Sequence, residues 1–290
     1  MACKHHHSQY VYSASTYAHA ADFERPKKQT LAPQAAVVLP AQGGHGTNRV
    51  AEQRLDGLIS FKAAYSEVGG SFDDCHDTYT TRASSVIEGL NIGDMVTADR
   101  IISRLTIYYP AHGRDDPSFD ITGSYFENLR IAGNLINVKL DTHLLHEYDT
   151  YSKLAKAHQR GDSDPLLLGI GLNGLKDEEV RDIEENYHAL SGMGHIAKEW
   201  KDKSKRPAEK AFYRLSAANQ IDFNRQVAPS EVKGYGAIIC IPKFGVVRLA
   251  EIVCHRHSRT LIMLQVQMCS AGHGTSTGPG SSGSGGSGGP

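Results

Sequence analysis

The stretch NLRIAGNLINVKL, residues 128–140, predicts a tight β-hairpin. Its first half alternates apolar Leu129 and Ile131 with polar or small residues, which is the two-residue period of a half-buried strand. Gly133 and Asn134 both tolerate positive φ, so they suit a two-residue turn. The return strand repeats the alternation. The pattern predicts buried side chains at Ile131, Ile136, Val138 and Leu140 and exposed ones at Asn137 and Lys139.

Strand patterns also precede this hairpin. Residues 81–90 are rich in small and β-branched side chains, and residues 96–109 place Ile101, Leu105 and Ile107 on one face. Pro, Gly and Asp residues over 110–117 form a turn-rich loop before the hairpin. The first half of the chain is therefore expected to consist mainly of strands.

After the hairpin the apolar period changes from two to about 3.6 residues. Asp141 or Thr142 can cap a helix that ends at Gly161. The apolar stripe of this helix consists of Leu144, Tyr148, Tyr151, Ala155 and His158. A second helix is predicted over residues 176–190. The segment that follows, residues 195–232, is interpreted as helix and loop around Trp200, Phe212 and Tyr213.

Three runs rich in β-branched residues come next, over 234–241, 246–254 and 260–269. Short loops separate them, which predicts an antiparallel meander. The order of strands, helices and strands predicts a mainly β fold, either an antiparallel β-sandwich or a barrel-like structure, with a central helical segment. An α+β fold is the alternative.

Composition divides the chain into three parts. Residues 1–56 hold few large apolar side chains among histidines, prolines and small residues, so we expect a flexible N-terminal segment. Residues 57–270 are expected to form a single β-rich domain, with the helical excursion at about 141–232. Residues 271–290 are Gly/Ser-rich and are expected to be a disordered tail.

The charge balance argues against a nucleic-acid partner, because 31 basic and 32 acidic side chains give a net charge of −1 without a basic stripe. No run approaches the ~18 apolar residues of a membrane span, and no apolar signal segment is present. We therefore expect a soluble protein in the cytoplasm by default, with unconventional export left open. The five cysteines are widely spaced, which favours reduced thiols over a disulfide framework.

Cys254, His255 and His257 form the candidate metal site, because thiolate and imidazole together suit zinc. Cys240, Cys269 and His273 are possible further ligands. Against zinc, Arg256 and Arg259 would repel a cation, and no Cys-x-x-Cys pair is present. Zinc is kept as a hypothesis, and a protein without a cofactor is the default expectation.

Three other features point to enzyme chemistry with less specificity. Residues 73–77, DDCHD, place a cysteine beside a histidine and three acids, although a polar turn explains them as well. Residues 169–174, GIGLNG, match the dinucleotide-binding pattern by letter, without its flanking strand and helix. Paired carboxylates for a hydrolase could come from Asp94, Asp99, Asp115, Asp116, Asp120 and Glu127.

The last strand pattern predicts an interface. Ile262, Leu264 and Val266 lie on one face of this strand, and Leu261 and Met263 lie on the other, so both faces are apolar. We expect the Leu144-Tyr148-Tyr151 helix face, or a second molecule, to cover Leu261 and Met263. A protein partner or a homo-oligomer is therefore expected as an alternative to intrachain packing.

Two stretches, GSYFENLRIAG over residues 123–133 and IPKFGVVRLAE over residues 241–251, resemble a group of uncharacterised bacterial proteins. The stretch GLNIGDMVTAD over residues 89–99, followed by the Phe-x-x-Leu-x-Ile-x-Gly pattern, is similar to bacterial choice-of-anchor surface domains. Neither group carries a known activity, so the resemblance implies no functional residues.

Two function classes remain. The leading hypothesis is a non-catalytic binding, structural or self-assembly protein built on a β-sandwich. The alternative is a hydrolase-type or metal-dependent enzyme that uses the Asp or Cys/His residues.

Overall fold

The computed structural model describes residues 10–23, 29–55, 57–111, 116–160, 212–223, 233–235, 237–241, 244–268, 275–277 and 280–284. The predicted fold class is confirmed, because the described residues form a mainly antiparallel β-sandwich-like fold. The second predicted helix and the GIGLNG stretch lie outside the described residues, as do Cys269 and His273.

Strands make up the described chain before the helices. These are β1 (Ala14–Tyr17), β2 (His19–Phe23), β3 (Gln29–Gln34), β4 (Val37–Val38), β5 (Gly44–Val50), β6 (Gln53–Leu55), β7 (Ile59–Phe61), β8 (Ala63–Asp73), β9 (Thr78–Ile92), β10 (Val96–Pro110), β11 (Ser118–Asp120), β12 (Tyr125–Glu127), β13 (Arg130–Ile131) and β14 (Asn134–Leu140).

Two short helices follow within the described residues, and strands then return. The helices are α1 (Thr142–Glu147) and α2 (Tyr151–Arg160). The later strands are β15 (Phe212–Ser216), β16 (Ala218–Phe223), β17 (Lys233–Tyr235), β18 (Ile238–Ile241), β19 (Gly245–His255), β20 (Ser258–Met268), β21 (Thr275–Thr277) and β22 (Gly280–Ser284). In the described residues, no helix combines the length and the apolar character needed to cross a membrane.

The strands form two sheets that pack face to face. One sheet runs β17-β18-β19-β20-β21-β2-β3, and β1, β4, β15 and β22 join it beside this path. The other runs β16-β14-β13-β10-β9-β7-β6, with β8 and β5 added beyond β9, and β11 and β12 added to β10. Strands β17 to β20 pair consecutively and antiparallel, as the predicted meander requires.

The long strands β9 and β10 are the centre of the second sheet. They pair antiparallel from Ile92 opposite Val96 to Thr78 opposite Pro110. Because side chains alternate along a strand, one side of this pair faces the other sheet and the opposite side faces solvent. The inward side chains, all buried, are Ala83, Ser85, Ile87, Ile101, Ser103, Leu105 and Ile107.

The predicted hairpin forms, but its turn is shifted by one residue. The turn residues are Ala132 and Gly133, with φ of 49° and 78°, instead of Gly133 and Asn134. Asn134 is the first residue of the return strand, and its side-chain amide donates to the carbonyl of Ala132 at 3.0 Å, which stabilises the turn in this register. Ile131 and Ile136 are buried as predicted, Val138 and Leu140 are half-buried, and Asn137 and Lys139 are exposed.

The structure differs from the expected flexible N-terminal segment. Strands β1 to β6 lie within the described residues 14–23 and 29–55, and a second core cluster joins Tyr12, Ala14 and Leu39 to the β8–β9 pair. The ring of Tyr12 lies so close to Gly70 that a Cβ there would be 2.7 Å from it. Packing of small side chains and of single aromatic rings leaves no periodic apolar pattern in the sequence, so the pattern did not predict these strands.

One other expectation differs from the structure. Residues 212–216 and 218–223 are strands where the sequence was interpreted as helix and loop, because β15 pairs with β19 and β16 pairs with β14. Backbone pairing to a neighbouring strand needs no apolar pattern, so the sequence pattern missed these strands. Residues 275–277 and 280–284 pair beside β20 as β21 and β22, and the disorder expected for residues 271–290 stays a prediction.

The predicted first helix is broken into α1 and α2. Tyr148 between them is buried with Tyr151, and the buried face continues at steps of three through Leu154 and Ala157. The amide of Ser152 donates to Asp116 at 2.7 Å, so a carboxylate from the preceding loop supports the start of α2.

His19 of β2 is a titratable group inside the core. It is fully buried, its ring lies edge-on to Phe61 at 6.1 Å, and neither ring nitrogen has a hydrogen-bond partner in the described residues. Burial lowers the pKa of His19 from 6.5 to about 4, because the charged imidazolium would lose its hydration there.

The ordered N-terminal segment is tested by Tyr12→Ala. The change removes a buried ring from the second core cluster, so we expect the free energy of unfolding to fall by about 3 kcal/mol in urea denaturation. Val38→Ala is the control, because this side chain is 71% exposed and should change stability by less than about 0.5 kcal/mol. Equal stability of the Tyr12→Ala variant and the parent would contradict the packing of residues 10–39.

The buried His19 predicts a dependence of stability on pH. Between pH 6.5 and about 4 the unfolded chain binds a proton at His19 that the folded chain does not bind. Stability should therefore fall as the pH falls through this window, by about 3 kcal/mol in total. His19→Phe should remove this part of the slope in denaturation curves between pH 7 and 5. The same slope in both proteins would show that His19 is hydrated in the folded state.

Candidate functional site

The structure separates the three predicted zinc ligands. Cys254 is fully buried near the end of β19, whereas His255 and His257 are exposed at the turn into β20. Burial raises the pKa of the Cys254 thiol to about 12, so the thiolate that zinc requires is disfavoured. Among the described residues, no three His, Cys, Asp or Glu side chains are grouped to hold a metal ion. Zinc at these positions stays a prediction.

Arg259 stabilises the turn between β19 and β20. Its side chain is fully buried and donates to the carbonyls of His255, Ser258 and Pro117, the last at 3.2 Å. The guanidinium also lies 5.9 Å from the ring centre of Phe119. Arg259 thereby joins the β19–β20 turn to the loop before β11, which is on the other sheet.

Leu261 and Met263 are inaccessible to a partner. Both are fully buried in a single chain and belong to the main core cluster between the sheets. β20 packs across the sandwich against β10, which belongs to the opposite sheet. Other residues of the same chain therefore cover Leu261 and Met263, and these two side chains do not form an exposed surface in the described structure.

The candidate acids are dispersed and serve local structure. Asp73 accepts hydrogen bonds from the amides of Cys75 and His76, at 2.9 and 3.3 Å, and thereby shapes the β8–β9 turn. Asp94 accepts from Asn91 at 2.7 Å, and Asp120 accepts from Thr122 at 2.7 Å. Two further acids are engaged in the same way. Asp99 accepts from Asn128, and Asp116 accepts from Ser152.

Charged and aromatic side chains are concentrated on the solvent side of the second sheet. We call this surface the outer face and define it by the outward side chains of β5, β8, β9, β10 and β12. Cross-strand rows bring residues that are distant in sequence together here. One row, for instance, is Tyr65, Val86, Ile102 and Tyr125.

A hydrogen-bonded network occupies one end of the outer face. Arg100 donates through Nε to Glu88 at 3.2 Å and lies 3.6 Å from Glu127 on its other side. Tyr65 donates from its hydroxyl to Glu88 at 3.3 Å. The hydrogen bond to Tyr125, together with both carboxylates, raises the pKa of Arg100. The five side chains therefore hold one another in place, with the ring of Tyr125 41% exposed.

A polar depression of about 590 Å³ lies beside this network on the same face. Arg82 and Arg104 contribute from the two central strands, and Gly69 leaves room between them and β5. A second depression, of about 630 Å³, adjoins it and is lined by Arg49, Tyr65 and Glu88 among others. The two share Glu67, so the outer face is concave across four strands.

Sequence reasoning missed this surface. The network joins Tyr65, Glu88 and Arg100 from three strands to Tyr125 and Glu127 of β12, and these four chain positions are too far apart in sequence to form one motif. The available signal was the polar half of each alternating strand, such as Arg82, Ser84 and Glu88, which is also the pattern of an ordinary solvated face.

Comparison with known proteins gives a family without an activity. A family model described as a domain of unknown function (DUF8256) matches residues 10–255. Both stretches quoted for the uncharacterised group lie inside the matched residues, and the similarity to choice-of-anchor domains stays a prediction. No curated protein and no solved structure gives a match.

Thiol labelling tests the position of Cys254. In native protein treated with iodoacetamide at pH 8, we expect exposed Cys75 to be alkylated and buried Cys254 to react only after unfolding. Peptide mass mapping assigns the label to each cysteine. Buried Cys240 is an internal control with the same expectation. Alkylation of native Cys254 at the rate of Cys75 would contradict the structure and would make its thiolate a possible metal ligand again.

Proposed function

We propose that this chain, which belongs to the DUF8256 family, is a non-catalytic binding protein whose outer face takes a hydroxyl-rich ligand of the saccharide class. The observation that carries the proposal is the network of Tyr65, Glu88, Arg100, Tyr125 and Glu127, an exposed aromatic ring beside a fixed array of charged donors and acceptors.

The chemistry of the network matches that of a sugar ring. A saccharide presents hydroxyl groups, which both donate and accept hydrogen bonds, around an apolar C–H face. Carboxylates such as Glu88 and Glu127, which flank Arg100, accept hydrogen bonds from sugar hydroxyls. The guanidinium of Arg100 can donate hydrogen bonds to sugar oxygens. The ring of Tyr125 offers an apolar surface with a polar end, which suits stacking against the C–H face.

The network is preorganised for binding. Tyr65 and Arg100 both bond to the same oxygen of Glu88, and each of the five residues except those of β12 comes from a strand inside the sheet. Side chains held in place by one another lose little conformational freedom when a ligand arrives. The concave shape of the face lets a ligand contact more than one strand.

The rest of the described surface favours a polar ligand over an apolar protein partner. Large hydrophobic side chains are exposed at only four described positions, and these do not form a patch on one strand. These residues are Val11, Val38, Tyr125 and Phe212. Interfaces that associate through apolar burial need a contiguous patch of several hundred Å².

Binding to a panel of immobilised neutral and acidic polysaccharides tests the proposal. Tyr125→Ala should lower the affinity for the bound saccharide by about tenfold, because loss of one stacking contact corresponds to about 1.4 kcal/mol. Phe212→Ala is the matched control, since Phe212 is equally exposed, at 40%, but lies on β15 of the other sheet.

The panel separates the outcomes clearly. Unchanged affinity for Phe212→Ala and reduced affinity for Tyr125→Ala support the outer face as the site. Failure of the parent protein to bind any saccharide overturns the proposed function, and equal loss in both variants overturns the assignment to this face.

A further inference from the structure

The depression beside the network contains two arginines for which the described residues supply no ionic partner. Arg82 lies opposite Thr106, and Arg104 lies opposite Ser84, so the two arginines are diagonal neighbours on adjacent strands. Diagonal neighbours on one face of a sheet have backbone positions about 7–8 Å apart, and both arginines line the same depression. In the part of the chain that the structure describes, no carboxylate pairs with either guanidinium.

The position of Arg104 is set by a glycine. Gly123, in the turn before β12, has a φ of 86°, and a Cβ at this position would lie 2.7 Å from the guanidinium of Arg104. The hydroxyl of Ser124 also accepts from the backbone amide of Arg104 at 2.8 Å. Arg104 therefore lies over the turn at the wall of the depression instead of extending into solvent.

The opposite wall has a different chemistry. Glu67 on β8 lies 3.7 Å from His45, and Asp73 lies 2.8 Å from His76, so the acids of this wall face histidines. Thr80, Ser84, Thr106 and Thr122 also line the depression. The depression thus places two cationic donors on one side and carboxylate acceptors on the other.

We infer that this depression binds a uronic-acid unit, so that the saccharide ligand is acidic. The inference rests on the proposed function. A ligand carboxylate bonds to the guanidinium groups of Arg82 and Arg104, because arginine matches a carboxylate with two parallel hydrogen bonds. The ring hydroxyls donate to Glu67 and to the threonine oxygens. A uronic acid carries both kinds of group on one ring, as the two walls require.

The same arrangement disfavours a polyphosphate chain. Glu67 and Asp73 lie in the depression, and Glu88 and Glu127 lie beside it, so successive phosphates along the outer face would meet carboxylates. The same carboxylates would repel closely spaced uronates, so an acidic sugar chain whose uronates alternate with neutral sugars, such as hyaluronan, suits the depression best.

Matched ligands test the inference. We would measure binding of the full chain by calorimetry to polygalacturonate, alginate and hyaluronan, and to the carboxyl-reduced form of each, at about 0.15 M salt. The expected result is at least about tenfold tighter binding of one acidic polymer than of its reduced form. Arg82→Gln and Arg104→Gln should each abolish most of this preference and leave binding of the reduced form unchanged.

Arg130→Gln is the control variant, since Arg130 is an exposed arginine of β13 outside the depression and should leave the preference intact. Both arginines of the depression are exposed, so these substitutions should leave the melting temperature close to that of the parent.

The possible failures have different meanings. Equal binding of acidic and reduced forms, or a preference that survives in Arg82→Gln and Arg104→Gln, overturns the carboxylate site and leaves the proposed function standing. Equal affinity for polyglutamate overturns the saccharide class of this site. Absence of binding to all six polymers overturns the inference, and the wider saccharide panel then decides the proposed function separately.

Discussion

The antiparallel pairing of β9 and β10 is the constraint on which both the core and the outer face depend. The two strands stay paired in a single register, and this register decides which side chains point into the core and which point to solvent. Ile87 and Leu105 enter the core because Arg82, Ser84 and Arg104 face outward. A slip of one residue would bury the arginines and expose the apolar side chains. Stability therefore holds the geometry of the proposed site in place.

The N-terminal strands complete this arrangement by closing the other end of the sandwich. Tyr10 stacks on Tyr79 with ring centres 4.0 Å apart, and Tyr12 packs over the Cα of Gly70. These contacts lie on the inward side of β8 and β9, behind the depression lined by Arg82. Because the residues that support the site and those that line it share the same strands, Tyr10 and Tyr12 contribute to the shape of the outer face from its inward side.

Sequence patterns predicted those elements whose stability is local. The hairpin over residues 128–140 and the meander of β18 to β20 follow from alternation and short turns, and both are present. The shifted turn shows the limit, because Gly133 is compatible with either register and the amide of Asn134 decides between them. β1 and β2 were missed because Ala14, Ala18 and Ala21 are buried through close approach of the sheets, which small side chains do not reveal in sequence.

The outer face was beyond prediction for a different reason. Tyr65, Glu88 and Arg100 meet only after β8, β9 and β10 have paired, and each one alone is an ordinary surface residue. The arginines of the site differ in whether they have ionic partners. Arg100 shares two carboxylates, whereas Arg82 and Arg104 lie near each other without one in the described residues. The same register that builds the core thus places Arg82 and Arg104 together at the depression of the outer face, where the proposed ligand binds.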